Sequence, residues 1–328
     1  MGRRHIQIVR DLGLELAGVC DSDPKSLETV REELGVSAER CFSDAMTLLG
    51  KARPECVIVA TTAPSHCNLV CRSAEKGARY ILCEKPMATS LDECDQMIQA
   101  CRAHQTKLAI NHQMRFMQQY TEAKRLVNLD SFGGLRSVSV IAGNIGMAMN
   151  GTHFFEMFRY LTNETPLEVT AWFSPEKVPN LRGPQFEDQA GCVRFTTSSG
   201  KRFYMEVGAD LGHGTKVIYA GPYGQMVVDE LAGLMSLSLR EEPQRELPTT
   251  RYATPSVEKS LKIRPAEMLD PSKAVLEALI NDRNAPTGED GRQTVSILVA
   301  AYVSHENGHV PVAFEPTKLP RKRVFPWA

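Results

Sequence analysis

The sequence predicts an α/β protein: a doubly wound parallel sheet first, then a second part built on an antiparallel sheet. Three observations predict it. From residue 14 to about residue 115, short apolar runs alternate with amphipathic stretches, the rhythm of successive βαβ units. Those runs are apolar at consecutive positions, as in strands covered by helices on both faces. After about residue 115 the runs lengthen and alternate apolar with polar residues, as in strands with one covered face. This divides the chain into domains 1–114 and 115–328.

The elements follow in order. Ile6 to Leu14 reads as a helix, Leu14 to Asp21 as a strand and Pro24 to Leu34 as a helix. Cys56 to Thr61 is a strand, Pro64 to Lys76 a helix and Tyr80 to Cys83 a strand; Ser90 to His104 is a helix and Lys107 to Asn111 a strand. Arg136 to Ala142, Glu168 to Ser174, Gly191 to Thr197 and Lys201 to Val207 are the alternating strands, with Ser199-Gly200 turning a hairpin. One clear helix interrupts them, His153 to Leu161, and two close the chain, Pro271 to Asn281 and Glu289 to Asn307. Glu241 to Lys262 carries charge and Pro without periodicity and reads as surface loop, and the tail from Glu315 is Pro-rich and basic.

With 328 residues the chain exceeds what one hydrophobic core usually supports, and 42% hydrophobic with 23% charged residues is ordinary for a folded globular protein. Lys plus Arg number 38 against 39 Asp plus Glu, so no global basic field attracts nucleic acid. No apolar run approaches the roughly 18 residues of a membrane span, and no metal site is expected because none of the nine cysteines forms a CxxC pair. An odd cysteine count without a signal peptide points to reduced thiols and a cytoplasmic location.

A doubly wound nucleotide domain opens with a strand, a glycine-rich turn and a helix whose N-terminus holds a pyrophosphate. Here the chain starts at Met1-Gly2-Arg3-Arg4 and enters the helix directly, so Gly2 reads as the last glycine of a G-x-G-x-x-G, with Arg3 beside it at the cofactor. The expectation is a reading frame continuing upstream with an apolar strand ending in G-x-G; a stop codon immediately before Met1 would refute it. Asp21 has two compatible readings. Its carboxylate at a strand end can accept from the adenosine ribose hydroxyls and repel a 2′-phosphate, favouring NAD over NADP, or it can start the Asp21-Ser22-Asp23-Pro24 turn and cap the next helix.

Ala60-Thr61-Thr62-Ala63-Pro64-Ser65-His66 follows one strand, and Glu84-Lys85-Pro86 the next. With Asn111 to Phe116, Gly151-Thr152-His153, Ile218 to Asp229 and Gly308 to Val312, these segments resemble the Gfo/Idh/MocA oxidoreductases, the family of glucose-fructose oxidoreductase and inositol dehydrogenase. The resemblance implies an N-terminal Rossmann domain, a C-terminal α/β domain with a large open sheet, an active site between them, and hydride transfer between nicotinamide and a sugar or polyol carbon. It also implies cofactor contacts from Thr61, Pro64, His66, Glu84 and Lys85, and substrate contacts from Asn111, His112 or Arg115. Arg115 has a second reading as a structural ion-pair partner, and His66 one as a helix-start residue.

Lys85, at the carboxyl end of a parallel strand, is placed to stabilise developing alkoxide charge and hand a proton to the substrate oxygen. His153 is the acid/base candidate. The family pattern D-x-x-x-H puts an acid one turn before that histidine; this chain has Met149 there, with Asn150 beside it. Three readings follow: Lys85 and His153 suffice, Asn150 orients the substrate, or catalysis is lost. Glu156, one turn on, either orients the imidazole or is a surface charge. The leading function is an NAD-dependent dehydrogenase of a hydroxylated small molecule; the alternative is a non-catalytic dinucleotide- or sugar-binding sensor. The exposed face of the second sheet predicts a homodimer or homotetramer.

Overall fold

The computed structural model describes residues 1–248, 256–315 and 317–328, and they form two compact units, Met1–His112 with Leu269–Arg292, and Gln113–Met268 with Gln293–Ala328. In chain order come α1 (Gly2–Asp11), β1 (Val19–Cys20), α2 (Pro24–Leu34), β2 (Cys41–Phe42), α3 (Ala45–Ala52), β3 (Cys56–Val59), α4 (Ala63–Glu75), β4 (Tyr80–Cys83), α5 (Leu91–Ala103) and β5 (Lys107–Ile110). There follow α6 (Gln118–Val127), β6 (Ser137–Ala142), α7 (Thr152–Thr162), β7 (Pro166–Val178), β8 (Asp188–Thr197), β9 (Arg202–Val207), β10 (Lys216–Ala220), β11 (Gly224–Asp229), β12 (Leu234–Arg240) and β13 (Ser256–Lys262). The chain ends with α8 (Leu269–Ile280), α9 (Gly288–Glu306) and β14 (Val312–Ala313); α8 and the start of α9 belong to the first unit.

The strands of the first unit are parallel, in two sheets: β1 with β2, and β3-β4-β5. Every residue of β4 is buried, which is why Tyr80 to Cys83 reads as an unbroken apolar run. Helix ends match their chemistry. Asp23 caps α2 by accepting from the Lys25 amide at 3.1 Å, and Gly35 ends it at φ +60°, where a side chain is disfavoured. The strand expected over Leu14 to Asp21 is shorter: only Val19 and Cys20 pair, both with β2. Leu16 and Val19 pack against Ile6, Val30 and Val36, so the apolar run fills the layer between sheet and helices rather than extending a strand.

The second unit carries a nine-stranded sheet in the order β13-β12-β11-β10-β6-β9-β8-β7-β14, antiparallel except where β6 meets β9. β9 shows the alternation: Phe203, Met205 and Val207 face in, and Arg202, Tyr204 and Glu206 face out. Phe155 and Phe158 of α7 meet Phe203 and Phe195 edge-on at 5.8 and 5.0 Å between ring centres, seating the helix on the inner face. The hairpin at Ser199-Gly200 is present, with Gly200 at φ +82°.

Three expectations change. α3 was not expected, and α6 is a second helix of the later part; its buried face contains Gln119 and Tyr120, so its apolar period is incomplete. Part of the loop expected over Glu241 to Lys262 is the edge strand β13, paired with β12 from Leu234↔Lys262 to Arg240↔Ser256. It is exposed on both faces, so no period-two signal marks it. Residues 249–255 of that stretch lie outside the described residues. Among the described residues no helix is long and apolar enough to cross a membrane.

Glu230, just after β11, is 7% exposed, and Tyr120 of α6 donates to its carboxylate. Burial, with Asp229 nearby, pushes the carboxyl from 4.5 up to about 7 against the Tyr120 hydrogen bond. Its folded-state value lies above its unfolded one, so the folded chain holds a proton that the unfolded chain has released between the two. Stability therefore falls as pH rises from about 4.5 to about 7, by about 3 kcal/mol in all, and this contribution is flat outside that window. Urea titrations across this range are expected to show that slope, and Glu230→Gln to flatten it; an unchanged slope in the variant would assign it elsewhere.

Candidate active site

In the first unit the site is built around the end of β4. Glu84 is 4% exposed, and its Oε1 accepts from His5 Nε2 at 2.8 Å and from Asn111 Nδ2 at 2.9 Å. Burial alone would raise this carboxyl; the His5 hydrogen bond and charge, the Asn111 amide and the Lys85 charge outweigh it and hold it at about 2. Glu84 is thus a buried anion that ties α1, β4 and the residue after β5 together.

Lys85 follows, half-buried, and its bond to Pro86 is cis. His66 of α4 is fully buried behind that turn. Its Nδ1 lies 3.0 Å from the Pro86 carbonyl and 3.2 Å from that of Met87, and its Nε2 lies 3.2 Å from the Thr61 carbonyl. Burial lowers the His66 pKa against the pull of those carbonyls. The imidazole therefore ties the start of α4 to the peptide after Lys85.

Thr61 is exposed and its Oγ1 accepts from Ser65 at 2.7 Å; Pro64 is exposed in the first turn of α4. Asp21 is exposed beyond β1, its Oδ1 accepting from the Asp23 amide at 2.9 Å. It starts the turn, while the helix cap falls to Asp23. Gly2 opens α1, where a Cβ would meet nothing within 4 Å, and Arg3 pairs with Glu33 at 2.8 Å on the surface.

In the second unit His153 is 3% exposed in the first turn of α7. A π-helical turn, Met147–Gly151, leads into it. The fully buried Asp188 at the start of β8 fixes that turn: its carboxylate accepts from the Ala148 amide at 2.7 Å and from the Met149 amide at 2.8 Å. Gly146, at φ +73°, makes the approach possible, because a Cβ there would collide with the Asp188 carboxylate. Asn150 is half-buried and donates through Nδ2 to the Ile145 carbonyl at 2.7 Å.

Glu156, 1% exposed, is bound by the buried Arg115 guanidinium and lies 3.3 Å from Arg159, which overturns the surface-charge reading. Tyr160 stacks beneath Lys124, whose Nζ is 3.8 Å from the ring centre.

Each unit therefore gathers its own candidates: Thr61, His66, Glu84, Lys85 and Asn111 in the first, Arg115, Asn150 and His153 in the second. Two organising residues escaped the sequence. His5 is a lone histidine on a surface-like helix, and Asp188 precedes an ordinary strand; both act over long separations that leave no local signal.

Residues 1–112 match the family model described as "Oxidoreductase family, NAD-binding Rossmann fold". The chain is 37% identical over 106 residues to 2,7-anhydro-N-acetylneuraminate hydratase of Mediterraneibacter gnavus, an alignment covering 32% of this chain and only 27% of that protein's length. It is 27% identical over 266 residues to inositol 2-dehydrogenase 2 of Saccharopolyspora erythraea, covering 77% of this chain and 73% of that one. An oxidoreductase from Agrobacterium radiobacter, solved in complex with NAD+, L-tartaric acid and magnesium, superposes with TM-score 0.77 at 19% identity, covering 95% of this chain and 94% of that one. Residues 1–112 thus match the NAD-binding Rossmann model of the Gfo/Idh/MocA oxidoreductases, and along nearly its whole length the chain shares the fold of the solved oxidoreductase.

Proposed function

We propose that the protein is an NAD-dependent oxidoreductase that moves a hydride between nicotinamide and a carbon of a sugar, polyol or related hydroxylated small molecule, with Lys85 and His153 in proton transfer. The observation that carries this reading is the construction around Lys85: an ammonium at the end of a buried parallel strand, flanked by the buried Glu84 anion and a turn held by His66. Ligands of open α/β sheets bind at this rim. The residues fit the dinucleotide. Asp21 offers an exposed carboxylate beyond β1, Gly2 leaves open space at the start of α1, and Thr61 and Pro64 are exposed at the start of α4. When bound, NAD supplies the hydride acceptor. Lys85 holds the substrate oxygen and stabilises its developing charge, and His153 takes the hydroxyl proton as the carbon is oxidised.

The names of relatives support the substrate class, inositol 2-dehydrogenase and D-apiose dehydrogenase among them. Met149, where the family pattern has its acid, favours the second reading, a dinucleotide- or sugar-binding sensor without turnover. Incubating the chain with NAD and a panel of sugars, polyols and sugar acids separates them. Growth of NADH absorbance with at least one panel member supports the enzyme; a thermal shift with NAD or a sugar but no NADH supports the sensor. The outer face of the nine-stranded sheet, with Trp172 52% and Tyr204 44% exposed, is the proposed surface of a homodimer or homotetramer. Sedimentation of wild type against Trp172→Glu tests it. The nine free cysteines accord with a cytoplasmic location.

A further inference from the structure

Three cations and one carboxylate meet where α6 and α7 approach each other in the second unit. Arg115 and Glu156, 4% and 1% exposed, are the buried floor: Glu156 Oε1 accepts from the Arg115 guanidinium and lies 3.3 Å from Arg159 Nη2. Arg159 and Tyr160 of α7 and Lys124 of α6 are half-buried and form the rim. The Lys124 Nζ lies 3.8 Å from the centre of the Tyr160 ring, and the Arg115 guanidinium carbon 5.3 Å from the same centre.

The cluster carries an excess of positive charge. Among the described residues no carboxylate pairs with the Lys124 ammonium, and Glu122, the other acid of the two helices, is held by Arg125 at 3.0 Å. The charges that act on Lys124 are Arg115, Arg159 and Glu156; burial and the two guanidiniums lower its pKa against the pull of the carboxylate. Gathering like charges in a partly buried place costs free energy, and an anion seated among them offsets that cost.

We propose that Lys124, Arg159 and the Tyr160 ring, over the Arg115–Glu156 pair, form a binding site for a dianionic phosphoryl group. Charge decides between the anions. A carboxylate brings one negative charge and leaves the cluster positive, whereas a phosphate monoester brings about 1.5 to 2 near neutral pH, with three acceptor oxygens. A guanidinium offers such oxygens a planar fork of donors and an ammonium a compact charge, while the ring keeps the ammonium in place without neutralising it. Free phosphate and a phosphorylated hydroxy compound share this chemistry.

The site lies within the second unit and its test contains no NAD, so it stands or falls apart from the redox reading. The full chain is titrated calorimetrically with inorganic phosphate and, separately, with glycerol 3-phosphate, at an ionic strength fixed with potassium chloride. Saturable binding is expected; tighter binding of glycerol 3-phosphate supports the site with an ester as its ligand, and equal or tighter binding of inorganic phosphate supports it with the free ion. Lys124→Met is expected to weaken binding about tenfold. Tyr160→Leu, which leaves every charge in place, is expected to weaken it about threefold, and Lys51→Met, at an exposed position of α3 in the first unit, to match wild type. No binding of either probe, an affinity that Lys124→Met leaves within about twofold of wild type, or an equal loss in Lys51→Met would each overturn the proposal.

Discussion

Replacing Lys85 by Met is expected to lower kcat by about 10³-fold with the panel substrate that wild type turns over, while the affinity for NAD changes little. The substitution keeps an unbranched side chain of nearly the same length and removes its charge and donors. Glu84 is held by His5 and Asn111, and the following peptide by His66, so the backbone that presents residue 85 is fixed by groups the variant leaves in place. The loss belongs in kcat because the ammonium interacts more strongly with developing alkoxide than with a neutral hydroxyl. Steady-state kinetics with a separate NAD titration reads both quantities. A variant with wild-type kcat would remove Lys85 from the chemistry.

Glu156→Ala is expected to destabilise the second unit by about 3–5 kcal/mol. Glu156 and Arg115 are 1% and 4% exposed, so truncation leaves the guanidinium buried without its carboxylate, far costlier than losing a surface pair. Arg159 and Lys124 add positive charge nearby: Arg159 also bonds Glu156, and Lys124 shares the Tyr160 ring with Arg115. For a unit of this size the melting temperature should drop by roughly 10 °C. A thermal melt of the variant within 2 °C of wild type, on the scale of about 1 kcal/mol or less, would mean that the pair is solvated.

Much of the fold was legible because burial writes itself into the sequence. β4 was read to the residue since both its faces are covered, and so was α2, Pro24 to Leu34, which the structure caps with Asp23 and ends at Gly35. Legibility failed where burial is absent or one-sided. β13 is an exposed edge in which only Val257 and Leu261 are apolar, too few to set a period of two, and the apolar residues before β1 serve a helix layer rather than a ladder. The re-entry of α8 into the first unit depends on contacts between residues far apart in sequence.

The candidate site divides in the same way. Glu84-Lys85-Pro86, Asn111 and His153 stood out because their motifs are local. The groups that hold them, His5 for Glu84 and Asp188 for the turn before His153, were silent, since a hydrogen bond across 79 or 40 residues leaves no spacing to read.

The central proposal is that the Lys85 amine and the His153 imidazole both take part in the proton transfer that accompanies hydride transfer. A crystal structure of the protein with NAD bound measures this directly. It should place Lys85 Nζ and a ring nitrogen of His153 both within about 5 Å of the nicotinamide C4, the reach of a hydrogen bond or one bridging water. Finding either group turned away from the nicotinamide, on a different surface of the molecule, would contradict the account.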